Sequence, residues 1–567
     1  MPHAAHRPTI MGTRHMVAAG HYLATLAGFE TLEAGGNAVD AGVCTGLALS
    51  VLESAYVSFA GVAPIAIYLR ETGKVITISG LGTWPSAASC EMFQRDHNGQ
   101  IPKGILRSVV PGAPDAWLLA LRQYGTMSFG DVAAAAIRFA RDGFPMYQLM
   151  TSTIAASAKE IATWPTTAAL FMPDGAAPAL GSIFRQTELA ATLQYMVDSE
   201  KSAAAQGRTA GLTAARDAFY CGDIARAIAA FHKAHGGLLT MEDLAGYRSE
   251  IEPAIQTRFA DIDVYGCGPW CQGPMLLQEL NILDGMDLQR LGHNSLEYVH
   301  LLTETIKLAA SDREAYYGDP NFVDVPLDRL LSRDHAAGRR ALFDPTRAFP
   351  GLPPTGNTQA PRATTRGIEL DTSYVCVVDR HGNAFSATPS DGMTASPVIS
   401  GVGCVASPRG SQSWADPAHA SALAPGKRPR LTPNPAIAIR EGRFVMPFGT
   451  PGADTQTQVM LQVFLNTVVF GMDLQAAVEA PRFATLSFPS SSSPHNYSPG
   501  RLLVEGSLYT ELHAGLARLG HQVEAWPESG PDYFQNVSAA CAIRADLTTG
   551  VLHGAADPRR PAYSIGW

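Results

Sequence analysis

The sequence predicts an α+β fold, and three observations carry the prediction. Helical apolar spacing dominates the first 340 residues, a Pro-, Gly- and Thr-rich stretch follows at 349–366, and period-two patterns dominate the rest. In the first part, residues 21–33 have helical spacing and Gly35-Gly36 stops them. Asn37-Ala-Val-Asp40 then caps a second helix running to about Glu53, so a helical hairpin is expected. Further helices are expected at 115–123, 129–141, 186–199, 223–235 and 296–316. After the linker, 372–379 and 384–388 flank Arg380-His-Gly-Asn383, and 436–440 and 443–448 flank Glu441-Gly442, which predicts two hairpins. Strands also fit 501–504 and 538–543, with a helix at 474–480 between the strand groups. The serine run 490–493 reads as a surface loop.

At 567 residues the chain exceeds one ordinary core, so several folding units or one large layered domain are expected. Apolar residues make up 46% and charged residues 16%, the balance of a globular enzyme. A net charge of −9, with no basic stripe, argues against nucleic acid. The first 18 residues lack an apolar signal core, and nowhere do eighteen apolar residues run together, so a cytoplasmic protein is expected. The sequons at Asn496 and Asn536 are then incidental. Eight scattered cysteines suit buried thiols better than a disulfide framework, and Cys267-Gly-Pro-Trp-Cys271 has one residue too many for a redox pair.

The zincin, serine-elbow, Walker and Cys-x-x-Cys patterns are all absent. What remains is Glu369-Leu-Asp-Thr372-Ser-Tyr-Val-Cys-Val-Val-Asp379, where a threonine opens an apolar strand directly after the linker. By composition this is only a strand start, since threonine is a common strand residue.

The segment from Thr372 to Ala384 resembles the start of the small subunit in the gamma-glutamyltransferase family. Other segments match in the same order: 28–40, Val110-Pro-Gly112, 136–144, 237–247, Leu308-Ala-Ala-Ser-Asp-Arg313, Gly426-Lys-Arg-Pro429, Gly449-Thr-Pro-Gly452 and Ala556-Asp-Pro-Arg559. The resemblance implies the four-layer αββα sandwich of amino-terminal nucleophile hydrolases. It also implies cleavage between Asp371 and Thr372 into a large subunit, 1–371, and a small one, 372–567. The two would stay together as an αβ heterodimer, with further dimerisation left open. Thr372 would be the nucleophile, Ser390 its hydroxyl partner, and Gly452 and Ala453 the oxyanion donors. A small amide would be the substrate, with no metal and no organic cofactor.

The resemblance is poorer where substrate would bind. Leu81 stands where glutathione-cleaving members carry a carboxylate-binding Arg, and no apolar side chain replaces those donors. Leu431 and Thr432 replace paired serines, His419 takes the place of an amino-binding acid, and Asp391-Gly392 stands where an Asn is expected. Leu81, Trp84 and Tyr374 are candidates for a less polar pocket or for core. Arg107, Arg409 and Arg428 are candidates for holding a carboxylate instead. Three readings follow: an amidohydrolase or acylase acting on something other than glutathione, a gamma-glutamyl hydrolase or transferase with different ligands, and an uncleaved scaffold.

Overall fold

The structure is a computed structural model that describes residues 5–355, 372–392, 394–527 and 538–567. Two seven-stranded antiparallel sheets form its centre. In the first, the strands run in the order Tyr563–Gly566, Met16–Ala19, Val375–Val378, Ala384–Ala387, Ile65–Leu69, Lys74–Ile78, Ile251–Pro253. In the second, the order is Ile10–Gly12, Leu552–Ala556, Cys541–Asp546, Phe444–Gly449, Ala436–Arg440, Ile262–Gly266, Ile255–Phe259.

Alternation along each strand assigns the layers. Val375 and Val377, with Val17, Ala19, Ile65, Ile67, Phe385 and Ala387, face one layer of helices. Their neighbours Cys376 and Val378, with Met16, Ala18, Ala66 and Ala384, face Ile437, Val445, Cys541 and Ile543 of the second sheet. That sheet turns Ala436, Ala438, Met446 and Phe448 the other way, onto Gly273–Leu283, Leu296–Tyr316 and Gln456–Val468. The result is the predicted αββα sandwich.

The expected helical hairpin is Tyr22–Glu33 followed by Ala38–Leu52. Asn37 and Asp40 form a reciprocal capping box on the second helix. Every residue of Ala38–Leu52 is buried, as expected for a helix apolar all round. Gly42 lets it approach the first sheet: a β-carbon there would stand 2.2 Å from the Phe385 ring. Full burial of a side chain such as Phe385 contributes about 1.5–3 kcal/mol.

The hairpins expected after the linker are present as Val375–Val378 with Ala384–Ala387 and Ala436–Arg440 with Phe444–Gly449. The linker beyond residue 355 and the Asp371 side of the expected cleavage site lie outside the described residues, as does Asn536. The serine run is a correction: Ser491 and Ser493 are buried, because Ser491 binds Asp454 through both its amide and its hydroxyl. Trp84 packs with Phe93 in a satellite core, with its indole N–H on Ser413 Oγ at 3.0 Å.

Candidate active site

Thr372 lies just before the strand Val375–Val378 and is fully buried. Its Oγ1 is 2.7 Å from Ser390 Oγ. The main chain around it is pinned on both sides: Ser373 N–H donates to Pro389 O at 2.9 Å, and Arg560 Nη1 donates to Thr372 O at 3.3 Å. Thr372 has φ +133°, a conformation that favours glycine and stores about 1–3 kcal/mol of strain.

Ser390 follows the strand Ala384–Ala387, and that loop is tied to residues 58–64. Thr388 and Ser390 amides donate to Pro64 and Val62 carbonyls at 3.1 and 3.0 Å, and Ser58 N–H donates to Ser390 O at 3.2 Å. Arg409, also buried, donates to Ser390 Oγ and ion-pairs with Asp391, whose other oxygen accepts Ser407 Oγ at 2.5 Å. Asp391 therefore anchors an arginine at this point. Gly392 is required for space, since a β-carbon would stand 1.9 Å from Ala55 O.

After the strand Phe444–Gly449, Gly452 (φ +133°) and Ala453 (φ +49°) form a turn that leads through Ala453–Thr455 into the helix Gln456–Val468. The turn is closed by Thr455, whose N–H and Oγ1 donate to Gly452 O at 2.9 and 2.8 Å. Neither the Gly452 nor the Ala453 amide donates to an acceptor among the described residues. Gln272 ties the turn to the loop before it, its Nε2 donating to Ala453 O and Thr432 O at 2.9 Å each. Thr432 exchanges two 3.0 Å bonds with Gln412.

Next to the turn is a network of buried charges. Arg313 Nη1 is 2.6 Å from Asp454 Oδ1 and 3.3 Å from Gln272 Oε1, while its Nη2 reaches Glu314 at 2.9 Å. Arg430 meets the same Glu314 oxygen at 2.9 Å. Burial pushes the Glu314 pKa up, but the two guanidiniums prevail and hold it well below the carboxylate range. His419, 3.7 Å from Glu314, stacks on Trp414 at 4.0 Å, and His495 stacks on the same indole at 3.7 Å. Burial lowers the His419 pKa, with Glu314 opposing.

Leu81 and Leu431 come together in one small apolar cluster with Val62, Cys267, Trp270 and Cys271, and Val62 pairs with Ser390. Tyr374 is enclosed between the sheets, its hydroxyl 2.6 Å from Ser386 Oγ and its ring filling the space beside Gly449. Of the three arginines, Arg107 binds the carbonyls of Ile101 and Pro102, and Arg428 pairs with Asp319 and Glu252. Only Arg409 reaches the Thr372–Ser390 pair. Gln272, Gln412, Glu314 and Asp454 escaped sequence reasoning, and for Arg313 the one signal was its place in the Leu308–Arg313 motif.

Metal-ligand atoms converge at one place among the described residues, where His300, Glu304 and His521 lie within 4.8 Å of one another. Each is engaged in the protein: His300 spans His521 (2.8 Å) and Asp344 O (2.9 Å), and Glu304 pairs with Lys307 at 2.7 Å. All eight cysteines are free thiols, and no helix among the described residues is long and apolar enough to cross a membrane.

The layering is that of an amino-terminal nucleophile hydrolase fold. The chain belongs to the gamma-glutamyltranspeptidase family, whose model, described as Gamma-glutamyltranspeptidase, matches residues 24–567. It is 35% identical to an Acylase ACY 1 proenzyme of Pseudomonas sp. (strain SE83), over 96% of this chain and 94% of that one. Identity to the Glutathione hydrolase-like YwrD proenzyme of Bacillus subtilis (strain 168) is 31%, over 98% and 99%. Among solved structures, a cephalosporin acylase from Bacillus halodurans superposes with a TM-score of 0.86 at 28% identity, covering 100% and 98% of the two chains.

Proposed function

We propose that the chain is a self-cleaving amidohydrolase in which Thr372 Oγ1 forms the acyl-enzyme. The observation that carries this reading is the 2.7 Å contact between the Thr372 and Ser390 hydroxyls, at the head of a central strand and in a strained main chain. In the precursor, Thr372 Oγ1 attacks the Asp371 carbonyl carbon, the peptide C–N bond gives way to an ester, and water hydrolyses it. The products are residues 1–371 and 372–567, the second carrying a free α-amino group. That amine has an ordinary pKa of about 7.7–8.0 and accepts the hydroxyl proton in turnover, directly or through Ser390.

Attack on a substrate amide gives a tetrahedral oxyanion, for which the free Gly452 and Ala453 amides are the donors. Losing one such donor typically costs about 2.7–4 kcal/mol of barrier. Collapse transfers the proton to the leaving amine and leaves an ester on Thr372, which water resolves to a carboxylic acid. Two features support an acyl group without a free amino-acid head: the Leu81–Leu431 cluster beside Ser390, and the commitment of Arg409 to Asp391. The relatives named acylases point the same way.

Intact mass measurement of the purified protein tests the reading. Two masses, the smaller beginning at Thr372, are expected, followed by faster release of nitroaniline from glutaryl- than from gamma-glutamyl-4-nitroanilide. A single mass for the whole chain would favour the scaffold reading, and a preference for the gamma-glutamyl anilide the transferase reading.

A further inference from the structure

Behind the nucleophile lies a group of polar side chains that this chemistry does not use. Glu53 ends the helix Ala38–Leu52, its amide on Leu49 O at 2.9 Å, and its carboxyl is buried at 1% exposure. It meets the Ser373 hydroxyl over Gly20: a β-carbon on Gly20 would stand 2.8 Å from Glu53 Oε2 and 2.2 Å from Ser373 Oγ. Arg560 enters from the carboxyl-terminal segment, with Nη1 on Thr372 O and Cζ 4.9 Å from the centre of the Tyr56 ring. Beyond the approach of Ser373 to Glu53, no described residue gives the Glu53 oxygens, the Ser373 hydroxyl or Arg560 Nε and Nη2 a hydrogen-bond partner. Buried polar groups are nearly always satisfied, and a cluster that is not is characteristic of a functional centre.

The ionisable groups facing Glu53 are Arg560, Tyr56, Tyr147 and Cys541. Burial pushes the two tyrosines and the thiol up, so they are neutral at neutral pH and, among the described residues, Arg560 is the one charge opposite Glu53. Burial also raises the Glu53 pKa, with Ser373 and Arg560 opposing.

We propose that Glu53 is a positioning residue for Thr372: with Ser373 and Arg560 it fixes the main chain around the nucleophile, and its charge sets the basicity of the α-amino group. The inference rests on the Thr372 reading above. A cation near an ammonium lowers its pKa and an anion raises it. Arg560 alone would make the amine too weak a base, and Glu53 offsets it. Replacing the carboxyl by an amide therefore lowers the amine pKa and moves the acid limb of kcat/KM to lower pH.

The test uses cleaved wild type, Glu53→Gln and Ser373→Ala. The pH dependence of glutaryl- and gamma-glutamyl-4-nitroanilide hydrolysis is measured beside that of Thr372 α-amine acetylation by acetic anhydride, read by peptide mass. For Glu53→Gln both profiles are expected to move down by about 0.5–1 pH unit, with kcat falling about tenfold and KM little changed. Ser373→Ala, which removes the hydroxyl favouring the Glu53 anion, shifts less in the same direction, and it decides the matter if Glu53→Gln does not fold. Acetylation decides it if neither anilide is turned over. Variant profiles superimposable on wild type overturn the proposal while leaving the nucleophile assignment standing; a wild type never cleaved at Thr372 overturns both.

Discussion

The two sides of the candidate site differ in the kind of polar group each gathers. On the side of the Gly452–Ala453 turn, Arg313 and Arg430 are shared among Asp454, Glu314 and Gln272, and Ser491 adds two more bonds to Asp454. On the nucleophile side, Thr372 and Ser390 meet as neutral hydroxyls, and Glu53, Ser373 and Arg560 stand short of partners. Charges paired with one another hold a shape, because moving any of them leaves another unpaired in a low-dielectric interior. Groups with spare donors and acceptors are the ones that can follow a proton.

The contrast breaks most severely at the nucleophile. Thr372→Ala removes the attacking oxygen, so turnover is expected to fall by at least about 10⁴-fold and the chain to stay uncut, while the fold persists. Progress curves and intact mass read both effects, and a cut, active variant would refute the assignment. On the opposite side, Arg313→Met leaves Asp454 and Glu314 short of a guanidinium and is expected to cost about 3–5 kcal/mol of stability. Urea denaturation measures it, and a loss below about 1 kcal/mol would mean the network is not what holds the turn.

A smaller effect sharpens the nucleophile side. His21, stacked on Tyr22 and tilted against Tyr147, accepts Leu23 N–H at Nδ1, and burial drives its pKa from 6.5 to about 3. The folded state thus resists a proton that the unfolded chain takes below pH 6.5. Its contribution is complete above that pH and is lost as pH falls toward 3, about 1–2 kcal/mol of it by pH 5. His21→Asn keeps the helix cap and should flatten the melting temperature between pH 7 and 5; an unchanged slope would place the titration elsewhere. Tyr374→Phe is the mildest change, losing one buried hydroxyl bond to Ser386, about 1 kcal/mol, with turnover unaffected because the ring lies between the sheets. A large fall in turnover would return Tyr374 to the pocket.

Where one face of an element met a different environment from the other, the sequence showed it. The helices Phe129–Asp142 and Asp223–Ala234 have clear apolar stripes and were read within a residue or two of their ends. The strands Met16–Ala19 and Ile65–Leu69 were missed because helices cover one side and a sheet the other, so both faces are apolar and no alternation remains. Thr372 and Ser390 were found only through the resemblance, since a hydroxyl beginning or following a strand has no pattern of its own. Gln272 and Glu53 sit among apolar neighbours in sequence, and their roles depend on partners about 180 and 320 residues away. The 490–493 run misled for the opposite reason: serines suit a surface loop, but here Ser491 is bound to the buried Asp454 carboxylate and Ser493 to the Ile101 amide.

The order of strands in the first sheet has a consequence for how such a protein can be made. Segments from before and after Thr372 interleave in it: Val375–Val378 is bordered by Met16–Ala19 and by its own hairpin partner, which in turn borders Ile65–Leu69. Neither half contains either sheet whole; each produced alone would be a comb with missing teeth, exposing bare strand edges to any other chain. The proposed cut before Thr372 would therefore be harmless only once the comb is complete, and the two halves are expected to arise from one folded precursor and not to exchange between molecules.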